Sequence, residues 1–222
     1  NPAGNRILVA GFTNQAQIYT LDGTLEMTFE GHTESVTSAV YSPKGDLVVT
    51  TSYDGTARIY AVSGKLLAVL KHDDAEWVNF AAFSPDGSLI ATAAADFLVR
   101  LWKPDGTLVR GFPAQDSPVA SAIFSPDGTR ILTAGYDPTA RMFDLEGNLL
   151  FTMEGHTDLL SHATFSPDGN FILTTSNDST GRLWRADDGA FIAVLEGHTS
   201  WLTGGAFSPD GTRLLTTSWD GS

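Results

Sequence analysis

The chain has 222 residues, 42% of them hydrophobic, no cysteine, and 26 acidic against 13 basic residues for a formal net charge of −13. That length supports a substantial buried core, while the charge repels phosphate backbones and anionic lipid, so nucleic acid and membrane surfaces are excluded as bulk-charge partners. Disulfides and thiolate metal sites are ruled out; no apolar stretch is long enough to span a bilayer and no signal-peptide pattern opens the chain, so a cytoplasmic setting is expected.

Asn1-Pro2-Ala3-Gly4 is the first of six copies of one short phrase. Tyr41-Ser42-Pro43-Lys44-Gly45 is the second, followed by Phe83 to Gly87, Phe124 to Gly128, Phe165 to Gly169 and Phe207 to Gly211. Successive aromatic residues are 42, 41, 41 and 42 positions apart. A fixed period of that length marks a stacked-unit architecture and outranks any local reading.

Within one period, Val36 to Tyr41 alternates every second residue and reads as a strand. Ser42-Pro43-Lys44-Gly45 is a turn, with proline presetting φ and glycine accepting a left-handed backbone. Asp46 to Ser52 is a second strand, Tyr53-Asp54-Gly55 a tight turn, and Thr56 to Tyr60 a third strand. Val62-Ser63-Gly64 turns again, and Lys65 to Leu70 is the fourth. Four short antiparallel strands per unit, without helical periodicity, predict an all-β β-propeller of four-stranded blades. Counting along the period gives four complete blades and partial blades at both ends, in one domain over residues 1–222. A closed five-blade ring would make residues 5–11 and 212–218 compete for one place, so a segment of a longer array is expected. Open edge strands would then pair with another chain or with further blades.

Gly31-His32, Gly155-His156 and Gly197-His198 open three units, and Asp178-Ser179-Thr180-Gly181-Arg182-Leu183-Trp184 closes one. In these motifs the whole chain resembles the WD40 (WD-repeat) β-propeller family, in its regular prokaryotic form. The resemblance implies a hydrogen-bonded network of His, Ser or Thr, Asp and Trp in each blade. His156, Ser176, Asp178 and Trp184 form the one complete set; His32, Ser52 and Asp54 have Tyr60 in place of Trp, and His198, Ser218 and Asp220 end before it. In the second unit Asp74 and Ala94 stand in the His and Ser slots, unless His72 is the family His with two extra residues. In the third, Gln115, Gly135 and Phe143 depart from the pattern. The network reads as structural rather than as a hydrolase triad, since it repeats and shows no nucleophile turn or oxyanion loop. One histidine per blade does not converge on a metal, so neither a metal site nor a cofactor is expected. Arg58, Arg100, Arg141 and Arg182 recur two positions before the third-strand aromatic and read as packing and ion-pairing residues.

The resemblance also implies a binding rim built from three positions per blade. The first set is Ser35, Trp77, Pro118, Leu159 and Trp201; the second Thr37, Asn79, Ala120, Ser161 and Thr203; the third Phe12, Tyr53, Ala95, Tyr136, Asn177 and Trp219. Trp77, Trp201, Trp219, Tyr53, Tyr136, Phe12, Ser35 and Leu159 are the expected partner-binding residues, because exposed Trp and Tyr bury large area at small rotamer cost. Asp73, Asp74 and Glu76 beside Trp77, and Asp158 beside Leu159, favour a partner with basic residues flanking an apolar anchor. The expected function is a non-catalytic scaffold or sensor that binds a protein or peptide; the alternatives are a self-assembling array and, further off, a channel-centred enzyme or a lectin.

Overall fold

A computed structural model describes residues 1–72 and 75–222. The described residues form twenty-one strands, all paired antiparallel and joined by short turns. Their contacts group into two compact units, Asn1–Pro113 and Ala114–Ser222.

The first unit opens with a three-stranded sheet, β1 (Arg6–Val9), β2 (Ala16–Thr20) and β3 (Leu25–Phe29). A four-stranded blade follows: β4 (Val36–Tyr41), β5 (Leu47–Ser52), β6 (Thr56–Ala61) and β7 (Leu66–Lys71). The next blade is β8 (Val78–Phe83), β9 (Ile90–Ala94), β10 (Leu98–Trp102) and β11 (Leu108–Pro113). The second unit contains β12 (Val119–Phe124), β13 (Arg130–Gly135), β14 (Ala140–Asp144) and β15 (Leu149–Met153). Its second blade is β16 (Leu160–Phe165), β17 (Phe171–Ser176), β18 (Gly181–Arg185) and β19 (Phe191–Leu195). β20 (Leu202–Phe207) and β21 (Leu214–Ser218) make a two-stranded sheet. Four complete blades and two partial ones are the build expected from the repeat.

Within each unit, neighbouring blades bury faces against each other, because a single sheet of this size cannot form a core alone. In the first unit Val49, Ile59, Leu70, Val78, Ile90 and Trp102 make one cluster across two blades. In the second, Leu132, Met142, Met153, Leu160, Ile172 and Trp184 do the same. The second strands carry the deepest positions; every residue of β9 is buried.

The recurring phrase does more than turn the chain. Ser84 donates to Asp86 at 2.6 Å, and the amide of Ser88 donates to the same carboxylate oxygen at 2.9 Å. Gly87 closes the turn on Ser84 with φ +74. Ser125–Asp127, Ser166–Asp168 and Ser208–Asp210 repeat the arrangement. Where Lys44 replaces the aspartate, Ser42 donates instead to Asp46 at 2.7 Å, so a carboxylate two residues on restores the bond. Within each unit, turn glycines also lie against the turn proline of the preceding repeat. A β-carbon on Gly45, Gly87, Gly169 or Gly211 would sit 3.3, 3.6, 3.4 or 3.8 Å from Pro2, Pro43, Pro126 or Pro167. The phrase therefore joins consecutive repeats as well as strands.

A second regularity was not anticipated. In every first strand the register slips by one residue: Val36 faces Ser52, but Ser38 faces Thr51. The same slip follows Val78, Val119, Leu160 and Leu202. The residues passed over are Thr37, Asn79, Ala120, Ser161 and Thr203, the second set of rim positions. A bulge of this kind re-aims a side chain. Thr37 uses it to donate to the Val78 carbonyl of the next blade at 2.6 Å.

Glycine in the turns is required by φ, which side chains with a β-carbon disfavour. Gly87→Ala is expected to cost about 1 kcal/mol, lowering Tm by about 2–4 °C. Gly204→Ala, in a strand without a positive φ, is the control and should shift Tm by less than about 1 °C. Equal shifts in thermal melting would contradict this account of the turn.

Candidate partner-binding surface

Each blade fixes the turn between its second and third strands with a short chain of polar groups. His156 lies in the loop before β16. Its Nδ1 is 2.7 Å from Asp178, and its Nε2 is 2.8 Å from the Thr174 hydroxyl, which accepts the indole N–H of Trp184 at 2.8 Å. Burial pushes the His156 pKa below its ordinary value against the opposing pull of Asp178. The imidazole is therefore neutral, with Nδ1–H donating to Asp178 and Nε2 accepting from Thr174. Burial pushes the Asp178 carboxyl up, but hydrogen bonds from Thr180, His156 and the Thr157 amide outweigh it and hold the group below the usual carboxylate range.

His32, Thr50 and Asp54 repeat these contacts at 2.8 and 2.8 Å, and His198, Thr216 and Asp220 at 3.0 and 2.9 Å. Tyr60, in the Trp position, sends its hydroxyl to the Glu30 carbonyl at 2.8 Å. In the second complete blade His72 takes the histidine place: its Nε2 is 3.0 Å from Thr92, which accepts from Trp102. Its Nδ1 meets Arg100 at 2.8 Å, and Arg100 pairs with Asp96 at 2.6 Å, so a guanidinium stands between the imidazole and the turn carboxylate. Burial, reinforced by the Arg100 cation, pushes the His72 pKa down to about 4. Asp74, the other candidate for this slot, lies outside the described residues. Gln115 fills the place in the next blade and donates to Thr133 at 3.1 Å.

The bridging hydroxyl corrects one expectation. Ser52, Ser176 and Ser218 hydrogen-bond to the turn and the preceding loop and not to the histidines. Ser176 donates to the Asp158 carbonyl at 2.9 Å and accepts the Asp178 amide at 3.0 Å, and Ser52 and Ser218 make the equivalent pairs. They tie the turn to the loop before the first strand. The residue that meets His and Trp lies two positions earlier, because alternation along the strand turns it to the same face. Thr50, Thr92, Thr133, Thr174 and Thr216 recur with the period of the repeat, a signal present in the sequence.

The arginines behave as expected of packing residues. Arg141 pairs with Asp116 at 2.5 Å, and Arg182 lies 5.6 Å over the Phe191 ring. Arg58 and Arg182 also occupy the space beside Gly31 and Gly155, where a β-carbon would overlap their guanidinium groups.

These networks hold the rim loops in register. The residue before each turn aspartate donates its amide to the carbonyl of the first-set rim residue of its blade: Tyr53 to Ser35, Ala95 to Trp77, Tyr136 to Pro118, Asn177 to Leu159 and Trp219 to Trp201, all at 2.9–3.1 Å. The first and third rim sets thus stand side by side in every blade. In the first unit Phe12 is 95% exposed, while Tyr53 meets Trp77 edge-on with ring centroids 6.4 Å apart. Trp77 and Ser35 are half-buried. In the second unit Trp201 and Trp219, joined by one backbone bond, are 55% and 76% exposed, and Tyr136 and Leu159 also face solvent. The second rim set is committed elsewhere: Ser161 pairs with Thr175 and Thr203 with Thr217, both at 2.8 Å. Glu76 and Asp158 are exposed beside Trp77 and Leu159; Asp73 and Asp74 lie outside the described residues. Among the described residues no three His, Asp or Glu side chains gather to hold a metal ion, and no helix is long and apolar enough to cross a membrane.

A family model, WD40 (WD domain, G-beta repeat), matches residues 23–61, 64–103, 106–144, 147–185 and 189–222. The chain belongs to the WD40 family. Domains of this family typically bind proteins or peptides and are typically non-catalytic. No curated protein matches the chain.

His72 makes stability depend on pH in a defined window. The fold disfavours its charged form, so the stabilisation is complete above about pH 6.5 and is lost as pH falls toward its folded pKa of about 4. The full contribution is on the order of 3 kcal/mol. His72→Gln, which copies the native Gln115 of the next blade, is expected to flatten the decline in Tm between pH 7 and pH 4.5. An unchanged decline would contradict a neutral buried His72.

Proposed function

We propose that this chain is a non-catalytic interaction module of the cytoplasm, which holds a protein or peptide partner on its aromatic rim. One observation carries the reading. Trp201 and Trp219 are fixed side by side by a backbone bond, yet most of both side chains is left in water. Large rigid aromatics exposed on anchored loops are the residue types that dominate binding hot spots. The exposed carboxylates at Glu76 and Asp158 and the net charge of −13 favour a partner that brings Lys or Arg beside an apolar anchor. The rim aromatics differ from blade to blade, which favours one asymmetric partner over a ligand repeated in every unit.

A self-assembling array is the second reading. Its support is the outermost strand of each complete blade, which exposes an apolar pair at equivalent positions: Leu66-Leu67, Leu108-Val109, Leu149-Leu150 and Phe191-Ile192. Exposed apolar stripes of this kind mark contact surfaces.

A peptide selected from a phage-displayed random dodecapeptide library against the 222-residue chain separates the two. Trp201→Ala and Trp219→Ala are each expected to weaken its binding by about tenfold or more, with light scattering unchanged. Unchanged affinity in both variants, or concentration-dependent growth of the particle that Leu149→Lys abolishes, would overturn the rim reading in favour of assembly.

A further inference from the structure

The turn after β9 carries an anomaly that the rim positions do not include. Phe97 has φ +69. The matching turns place Gly55 at +75 and Gly221 at +88, and Ser179 at +69. A left-handed backbone is routine for glycine and rare for a bulky side chain, so this turn holds phenylalanine in a conformation that opposes it. One bond follows the repeat, the Leu98 amide donating to Asp96 at 3.2 Å, while Asp96 pairs with Arg100 where Asp54, Asp178 and Asp220 meet histidine. Four of the five turns that carry this aspartate are left-handed here, the Asp137-Pro138 turn being the other, and Phe97 is the bulkiest residue among the four. Phe97 is 43% exposed, so burial in the core does not account for a bulky ring at this place.

Its surroundings are the aromatic part of the first unit's rim. The Ala95 amide donates to the Trp77 carbonyl at 3.0 Å, which sets the Phe97 turn beside Trp77. Trp77 in turn meets the Tyr53 ring. The preceding turn is packed tightly here too, since a β-carbon on Gly55 would lie 2.8 Å from the Ala75 carbonyl. Tyr53, Trp77 and Phe97 therefore lie on three loops linked by the Tyr53–Trp77 ring contact and the Ala95–Trp77 backbone bond. Glu34 and Glu76 flank the first two loops, are exposed, and make no ion pair among the described residues.

We propose that Phe97 is a specificity-determining contact residue, an apolar anchor held on a strained turn to receive, with Tyr53 and Trp77, a peptide segment whose apolar side chain is flanked by Lys or Arg. Strained backbone that persists inside an otherwise well-determined structure concentrates at binding sites. The occupant follows from the charges: an apolar residue covers the rings, and a cation answers Glu34 and Glu76. The inference rests on the reading of the rim as a partner site.

The test uses a peptide selected from the same dodecapeptide library against the Trp201→Ala/Trp219→Ala double variant, so that binding at the first unit is read by itself, titrated against the full chain and four further variants. Selected sequences should carry Lys or Arg next to an aliphatic or aromatic residue. Phe97→Gly and Phe97→Ala should each weaken binding by about tenfold or more, and Trp77→Ala should do the same. Phe97→Gly should melt about 2–4 °C above Phe97→Ala, because only glycine relieves the backbone. Phe97→Leu, which keeps an apolar side chain, should recover part of the affinity. Affinity within twofold of the parent in both Phe97→Gly and Phe97→Ala, with Trp77→Ala still weakened, would overturn the role of Phe97 alone. No peptide selected against the double variant, or one indifferent to every Phe97 and Trp77 variant, would overturn this inference, while the rim reading stands or falls on Trp201 and Trp219. Equal melting of the glycine and alanine variants would remove the strain on which the inference stands.

Discussion

A threonine hydroxyl in the second strand of each blade is the point on which the structure turns. Thr174 joins the Trp184 indole, the His156 imidazole and, through it, the Asp178 carboxylate. Three elements far apart in sequence meet there: the loop before the first strand, the second strand, and the turn into the third. The chain of bonds is buried, and each member is directional. Each hydrogen bond contributes only about 1 kcal/mol net, but an orphaned buried partner costs about 1–3 kcal/mol, so such a chain is kept whole or its changed members find new partners. The blades show the chain kept whole around Thr174 and, elsewhere, a changed member given a new partner. Tyr60 sends its hydroxyl elsewhere, His72 reaches its carboxylate through Arg100, and Gln115 donates where histidine accepts. What survives all these changes is the threonine.

The consequence for function is mechanical. The same chain that binds the turn aspartate sets the amide before it against the carbonyl of the neighbouring loop. The backbone makes that bond whatever the side chains, so the residues at those two positions can vary from blade to blade. Trp219 with Trp201, and Ala95 with Trp77, are two such pairs, and they differ from Tyr53 with Ser35 and Asn177 with Leu159. A repeated frame with variable tips suits recognition of one asymmetric partner. It supplies no converging acids, bases or metal ligands among the described residues.

Much of this was legible in the sequence because the repeat acts as a ruler. The four strands of the first complete blade fall within a residue of the bounds read from Val36 to Leu70, and the strand counts follow from the period. The histidine–aspartate pairing came from the motif resemblance. The bridging residue was misplaced by two positions, since Ser176 and Thr174 share a face and spacing alone does not say which one reaches His156. The bulge at Thr37 and its equivalents was hidden, because a strict two-residue alternation gives no sign of a slipped register. The contact between Gly87 and Pro43 joins residues a whole repeat apart, and no local pattern encodes it. Phe97 was missed for a related reason: its strain shows only once the turn is seen to demand a left-handed residue.

The most direct measurement is Thr174→Val, which keeps the shape of the side chain and removes the hydroxyl. Stability by denaturant unfolding and hydrogen exchange of the turn amides at Asn177 and Thr180 should be read together. The account predicts a loss of about 2 kcal/mol or more and faster exchange at both amides, with the strands of the other blades unaffected. A variant as stable as the parent, with the turn amides equally protected, would contradict the claim that the threonine-centred chain holds the rim in place.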